Sequence, residues 1–238
     1  MITPMPPVIR PYVPDRDADW LADLHARLYA REAGFDARFG KLVEEILAEF
    51  AATHDPRRER GFVAEEVAGR SGAVPGVISS EAQRGISGAV PGEGLGKVAG
   101  EARGQIRNAV PSKVPGEARG QIQGEVPGGA PGEAPSDAPG APRRLGSIFC
   151  VAEGHEVARL RLFLLHPEAR GQGLGRRLLG VCTEFARAAG YRRMVLSTHE
   201  SHRAACRLYA ATGWRCLSAH PVTRFGQALV EQQWGRAL

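Results

Sequence analysis

The stretch HPEARGQGLGRRLLGVC, His166 to Cys182, sets Gly171, Gly173 and Gly175 at alternate positions, with Arg170 before them and Arg176 and Arg177 after. Glycine is a costly choice in ordered structure, because it loses more backbone freedom on folding than any other residue. An approaching ligand that needs bare backbone is the usual reason to accept that cost. Upstream, EVARLRLFLLHP alternates charged and apolar residues and then turns wholly apolar before Pro167, the pattern of a strand with a buried end. Downstream, Leu174, Leu178, Cys182, Phe185 and Ala189 share one helical face that closes at Gly190. The glycines thus fall where a strand hands over to a helix. The first amides of a helix lack intrahelical partners and carry partial positive charge, so the chemistry expected here is phosphate binding.

Spacing narrows the ligand. The nucleoside triphosphate loop needs G-x-x-x-x-G-K-[ST], and no Lys-Ser or Lys-Thr follows; the dinucleotide fingerprint needs G-x-G-x-x-G, whereas the chain has G-x-G-x-G behind an arginine. A tight glycine turn with no ligand is the bland alternative. The elements that must hold this loop read as follows. DADWLADLHARLYA places Trp20, Leu21, Leu24 and Leu28 at helical spacing, with Asp15 or Asp17 at its start. FGKLVEEILAEF repeats that pattern with Phe39, Leu42, Val43, Ile46, Leu47 and Phe50. ERGFVAEE and RLGSIFCVAE read as adjacent strands, RRMVLST as another, SHRAACRLYAATG as a short helix ending at Gly213, and WRCLSA with GQALVEQQW as a final hairpin. The order is two helices, three strands, helix, strand, helix, two strands, which predicts a mixed α/β sheet with helices on its faces.

Composition divides the 238 residues. Between Ala68 and Arg144 there is no aromatic residue, and about a third of the positions are Gly or Pro, too little apolar surface to offset chain entropy. SGAVPG occurs at Ser71 and Ser87, and GEARGQI at Gly100 and Gly116, both sixteen positions apart. A solenoid of that period would need apolar positions to stack on its neighbours. The segment is read as a disordered insert in the turn between two strands, where long insertions cost little. A tether or docking arm is its functional alternative. The domain plan is 8–66, the insert 67–144, and 145–238.

The net charge of +5 is spread along the chain and makes nucleic acid a weak prospect, and the insert has no aromatics for base stacking. The four cysteines form no C-x-x-C pair, so no zinc or other metal site is expected, and Cys182 and Cys206 fall on apolar helix faces as reduced core thiols. Neither is set in a reactive motif. The first twenty residues lack the apolar run of a signal peptide, and no run approaches a membrane span. A cytoplasmic protein is expected.

RGQGLG, Arg170 to Gly175, matches the R/Q-x-x-G-x-G/A signature of the GCN5-related N-acetyltransferase (GNAT) superfamily, and ACRLYAATGW, Ala205 to Trp214, resembles its A-x-x-L-Y-x-x-x-G-F segment. LYAREAGFD, Leu28 to Asp36, and FGQALVEQQW, Phe225 to Trp234, more narrowly resemble the acetyltransferase half of MarR–GNAT fusions, without the MarR half. The resemblance spans 8–66 and 145–238. It implies a GNAT-like, mostly antiparallel sheet with helices on both faces. It further implies transfer of an acetyl group from acetyl-CoA to a small-molecule or peptide primary amine, by direct attack. A non-catalytic acyl-CoA-binding module with a docking arm is the other class considered. Homodimers are common in the family.

The resemblance also assigns residues. Pyrophosphate would rest on Arg170, Gly171, Gln172, Gly173, Leu174, Gly175 and Arg176. The pantetheine arm would lie along Phe163, Leu164 and Leu165. Tyr209 matches the tyrosine that protonates the departing thiolate; its plain alternative is core packing. A lysine amine is mostly protonated at neutral pH and an α-amine far less so, so a base or a water relay helps. His199 and Glu65 lead the candidates, with Glu66, Glu153, His166 and Glu200 behind them. Where many members have a Thr-Asn pair the chain has Thr198-His199. His25, Tyr29 and Glu32 share a helical face in the acceptor region, and His220 and Phe225 are expected on the loop of the last hairpin, closing its other side.

Overall fold

The computed structural model describes residues 6–66 and 142–238. Seven strands form one sheet: β1 (Val8–Pro11), β2 (Arg60–Glu66), β3 (Arg143–Ala152), β4 (Val157–Leu165), β5 (Arg193–His199), β6 (Arg215–Arg224) and β7 (Gln227–Ala237). Four helices accompany them: α1 (Pro14–Ala33), α2 (Ala37–Thr53), α3 (Leu174–Ala188) and α4 (Arg203–Ala211). The sheet order is β1-β2-β3-β4-β5-β7-β6. Only β4 and β5 run parallel, joined through α3; every other neighbouring pair is antiparallel. The repeat segment and its expected disorder lie outside the described residues.

Buried side chains pack on both faces of the sheet, with a smaller third cluster of Leu24, Leu28 and Leu164 between α1 and β4. On one face, α1 and α2 press Leu21, Val43, Leu47 and Phe50 onto Val63 of β2 and Phe149 of β3. On the other, α3 and α4 bury Leu178, Leu179, Cys182 and Tyr209 against Ile148, Met194, Leu196 and Trp234. The periodicity of each helix accounts for its stripe. Asp36 caps α2 by accepting the Arg38 amide at 3.0 Å, and Gly34 closes α1 with a left-handed φ of 69°.

Asp15 and Asp17 both fall in the first turn of α1, near its start as the sequence predicts. Its N-cap is Val13, followed by Pro14, and neither Asp15 nor Asp17 caps it. Asp17 is fully buried, accepts the Val13 amide at 2.9 Å and holds Arg10 through two bonds of 2.7 and 2.8 Å. That pairing anchors β1, a four-residue strand the sequence reading omitted because VIRP is short and ends in proline. His220 is also corrected. It lies within β6, opposite Glu231 of β7, because the final hairpin runs on to Arg224 and turns only at Phe225-Gly226. Both turn residues have positive φ, 50° and 76°, the two-residue turn that suits the twist of a hairpin.

The centre of the sheet is irregular. β4 pairs with β5 only from Val157 to Arg159, opposite Arg193 to Val195. Beyond that the two strands part. On its other side, β4 loses register with β3 where Leu162 takes a left-handed φ of 47°. The Leu162 carbonyl turned out by this bulge accepts the hydroxyl of the buried Ser147 at 2.7 Å. A bulge bends its strand and re-aims the residues after it.

Candidate active site

Phe163 to Leu165, past the bulge, form one wall of a cleft of about 550 Å³. Leu28, Tyr29 and Glu32 of α1 face them, and the cleft floor is the glycine loop. Residues 201–205 and Leu208, around the start of α4, close the remaining side. The loop begins with one 3-10 turn, Pro167–Ala169, and is held to β4 by Arg170 Nε, which donates to the Leu165 carbonyl at 3.2 Å. Gly171 and Gly173 have φ of 77° and 78°, and a Cβ at either would meet nothing within 4 Å. Their glycines therefore serve conformation and leave open space above the backbone. Gly175 is tight, with Leu165 and Leu208 each 3.2 Å from a Cβ built there.

Gly173 is the N-cap of α3 and offers no side-chain cap. The first amide with a partner is that of Arg177, which donates to Gly173 at 3.2 Å. Among the described residues the amides of Gly171 to Arg176 make no hydrogen bond. A row of unsatisfied donors at a helix start, beside the Arg176 side chain, is built to take an anion.

Of the residues singled out in the sequence, Phe163, Leu164, Leu165, Arg170, Gly171, Gly173, Gly175, Arg176, Tyr29 and Glu32 all line this cleft. Arg170 meets Glu32 across it at 3.0 Å. Leu174 is turned into the core, and the Gln172 side chain bends back to the Glu168 carbonyl at 2.7 Å. Tyr209 lies just behind the wall, its ring 6.2 Å from that of Phe163 and packed on Trp214 and Trp234. Burial pushes its phenol well above the ordinary range, so it keeps its proton.

The remaining candidates are dispersed. His25 is buried one helical turn from Tyr29, with Nδ1 2.9 Å from the Leu21 carbonyl, and burial lowers it to about 4. Glu65 sits on β2 between Arg10 and Arg16, at 2.9 and 2.8 Å, a carboxylate already held by two cations and outside the cleft. Glu66 faces Arg143, and Glu153 is held by Arg159. His166 has a buried Nδ1 without a partner, and burial, then Arg143 and Arg170, lower its pKa. The Glu200 amide donates to Val230. His199 ends β5, its ring 5.3 Å from His202 and 5.5 Å from Phe35, and burial lowers it to about 4. Phe225 packs on Phe35 and Phe39 at 5.1 and 5.2 Å. Cys182 is buried, while Cys206 is only half-buried.

Sequence reasoning missed His202. It lines the cleft just before α4, with its ring 5.2 Å from Tyr29. SHRAACRLYAATG reads as a helix pattern, and the only available signal was the position of His202 ahead of the first helical turn, where a side chain points off the helix end.

Residues 137–214 match the model of the acetyltransferase (GNAT) family. No curated protein matches the chain. Among solved structures, an acetyltransferase from Streptococcus agalactiae is 16% identical, covers 98% of each chain and superposes with a TM-score of 0.55. The yncA protein from Salmonella typhimurium, solved with its cofactor acetyl-CoA, is 13% identical over 98% of this chain and 95% of its own, with a TM-score of 0.54. A GCN5-related N-acetyltransferase from Kribbella flavida is 17% identical over 98% of both, with a TM-score of 0.53. The fold is thus GNAT-like, with a parted β4/β5 pair and a glycine loop at the start of α3.

Proposed function

We propose that the chain is an acetyl-CoA-dependent N-acetyltransferase that transfers an acetyl group to a primary amine by direct attack. The observation that carries this is one continuous track: unpaired amides at Gly171 to Arg176 lead into a β4 edge free of β5 beyond Arg159. The residues present fit the thioester ligand. The amides and Arg176 would receive its pyrophosphate, and the edge of β4 that β5 leaves unpaired, from Phe163 to Leu165, would pair with its pantetheine amides, the Leu165 carbonyl sharing its lone pairs with Arg170. When bound, acetyl-CoA supplies an acyl carbon activated by a thiolate leaving group.

The protein's own residues do the rest. Leu162, where β4 bends, lies at the inner end of the track, so the acyl group would stop at the mouth of the parted strands. Tyr209, a neutral phenol, would give the departing sulfur a proton or hydrogen bond. His202 and His199 are neutral imidazoles on the acceptor side and would pass the amine proton to solvent. The narrower likeness to MarR–GNAT enzymes gains support from one feature. The two segments that carry it touch, Gln227 donating to the Gly34 carbonyl at 2.9 Å.

Calorimetric titration with acetyl-CoA, followed by thiol release with a panel of primary amines, tests the reading. The parent should bind, and Gly173→Glu should weaken binding by about a hundredfold, because a carboxylate would stand where the anion sits. Equal affinity in the two proteins would overturn it. Binding without turnover on any amine would favour a non-catalytic acyl-CoA module instead.

A further inference from the structure

Glu231 is a carboxylate with poor company. Its side chain is 8% exposed, yet its nearest cationic partners are Arg224 at 3.5 Å and His220 at 3.6 Å, and Gln233 donates at 3.4 Å. Each contact is longer than an ordinary charge-assisted hydrogen bond. The buried Asp17 closes on Arg10 at 2.7 Å, whereas two pairs as long as those of Glu231, Arg31–Glu32 at 3.5 Å and Arg143–Glu66 at 3.7 Å, join exposed side chains. Arg224 in turn is about one-third exposed, and Glu231 is its one ion-pair partner among the described residues. A nearly buried anion and a cation held this far apart leave bonding capacity unused on both.

Position makes this relevant to the cleft. Glu231 is the register partner of His199 on one side and of His220 on the other. Residues directly opposed on antiparallel strands share a face, so the three form a row on one face of β5, β7 and β6. His199 is 5.3 Å from His202, which lines the cleft. The carboxylate itself turns toward β6. Two positions along the same face lie Val222 and Leu229, opposed to one another and half-buried, and beyond them Phe225 turns the hairpin.

We infer that Glu231 and Arg224 form the acceptor seat, and that the acceptor is a free α-amino acid with an apolar side chain. The inference rests on the acetyltransferase reading above. An anion and a cation 3.5 Å apart match a zwitterion whose ammonium and carboxylate are separated by a single carbon. Glu231 would hold the ammonium, Arg224 the carboxylate, and Val222, Leu229 and Phe225 would take the side chain. The amine loses one proton to water by way of His199 and His202. Its nitrogen bonds to the acyl carbon as the carbon–sulfur bond breaks, and the sulfur leaves protonated. A peptide N-terminus lacks the adjacent carboxylate and would leave Arg224 without its ligand.

Leucine and leucinamide separate these cases. They differ only at the carboxyl group, and the amide has the less basic, more available amine, so any preference for leucine reports binding rather than intrinsic reactivity. Thiol release should show the parent using leucine about tenfold or more better in kcat/KM. Arg224→Gln should raise KM for leucine until the preference is lost, and Arg224→Lys should restore part of it. Glu231→Gln should weaken both substrates. Acetyl-CoA affinity should be the parent's in all three variants, which also shows that they fold. Equal use of the two substrates by the parent, or an Arg224→Gln variant that keeps the preference, overturns the inference while the transferase reading stands. So does release with simple amines but none with leucine, valine or phenylalanine. Failure of the parent to bind acetyl-CoA overturns the transferase reading itself.

Discussion

Tyr209 offers a ring and a hydroxyl that a single substitution separates. Its ring packs against Phe163, Trp214 and Trp234 at centroid distances of 5.9 to 6.2 Å, so the carbon skeleton belongs to the core. Replacing Tyr209 by Phe keeps the ring and removes the oxygen. If the hydroxyl serves the leaving sulfur, kcat should fall by about 10²- to 10⁴-fold with little change in acetyl-CoA affinity. The thermal midpoint should move little, because the ring and its packing are kept. Unchanged turnover would leave Tyr209 as packing alone. Readability from sequence divides along the same line. The glycines and Tyr209 are marked by residue type and spacing. Ser147, Glu231 and His202 are not, because a serine, a glutamate or a histidine becomes significant only through the strand register or helix end that buries it. Glu65 shows the same limit: ERGFVAEE gives no sign of an arginine partner, and Arg10 of β1 reaches the carboxylate only in the fold.

At the scale of the element, β4 carries the site, and its neighbour β3 decides where its end lies. Gly146 of β3 is the register partner of Leu165, and a Cβ built on it would fall 2.6 Å from both the Leu164 carbonyl oxygen and Leu165 Cδ2. The first obstacle is backbone, so the strand itself must move. Gly146→Ala should therefore push the free edge of β4 away from β3, lower acetyl-CoA affinity and cost about 1–3 kcal/mol of stability by urea titration. Gly180→Ala is the matched control. Its Cβ would meet nothing within 4 Å, and in the middle of α3 alanine should stabilise by about 0.5–1 kcal/mol without touching the site. A Gly146→Ala protein with parent affinity would show that the approach of the two backbones does not set the edge. The strand LFLLHP and the helix after it could be read from pattern. The Leu162 bulge could not, since leucine has no preference for a left-handed φ and the tertiary context imposes it.

The described residues form one sheet clamped by helices on both faces, and burial on the α1 side includes a titratable group, His25. Its imidazole is 2% exposed, and burial lowers its pKa from 6.5 to about 4. Below pH 6.5 the unfolded chain binds a proton that the folded protein rejects until about pH 4. Stability must therefore fall as pH drops through that window and level off beneath it. His199, lowered to about 4 chiefly by burial, works in the same direction. Asp17 acts lower still: with Arg10 and the Val13 amide holding its charged form, its contribution is intact above the ordinary aspartate range and is lost on further acidification. The composition of α1 foretold a histidine on its face but not that the ring would be dry, because that depends on what the fold packs over it. His25 alone should account for about 2–3 kcal/mol between pH 7 and pH 4.5. His25→Asn keeps a donor for the Leu21 carbonyl but cannot titrate. Urea unfolding at the two pH values should show the parent losing that much more stability than His25→Asn. Equal losses in the two proteins would mean that His25 is hydrated and protonates in the folded state.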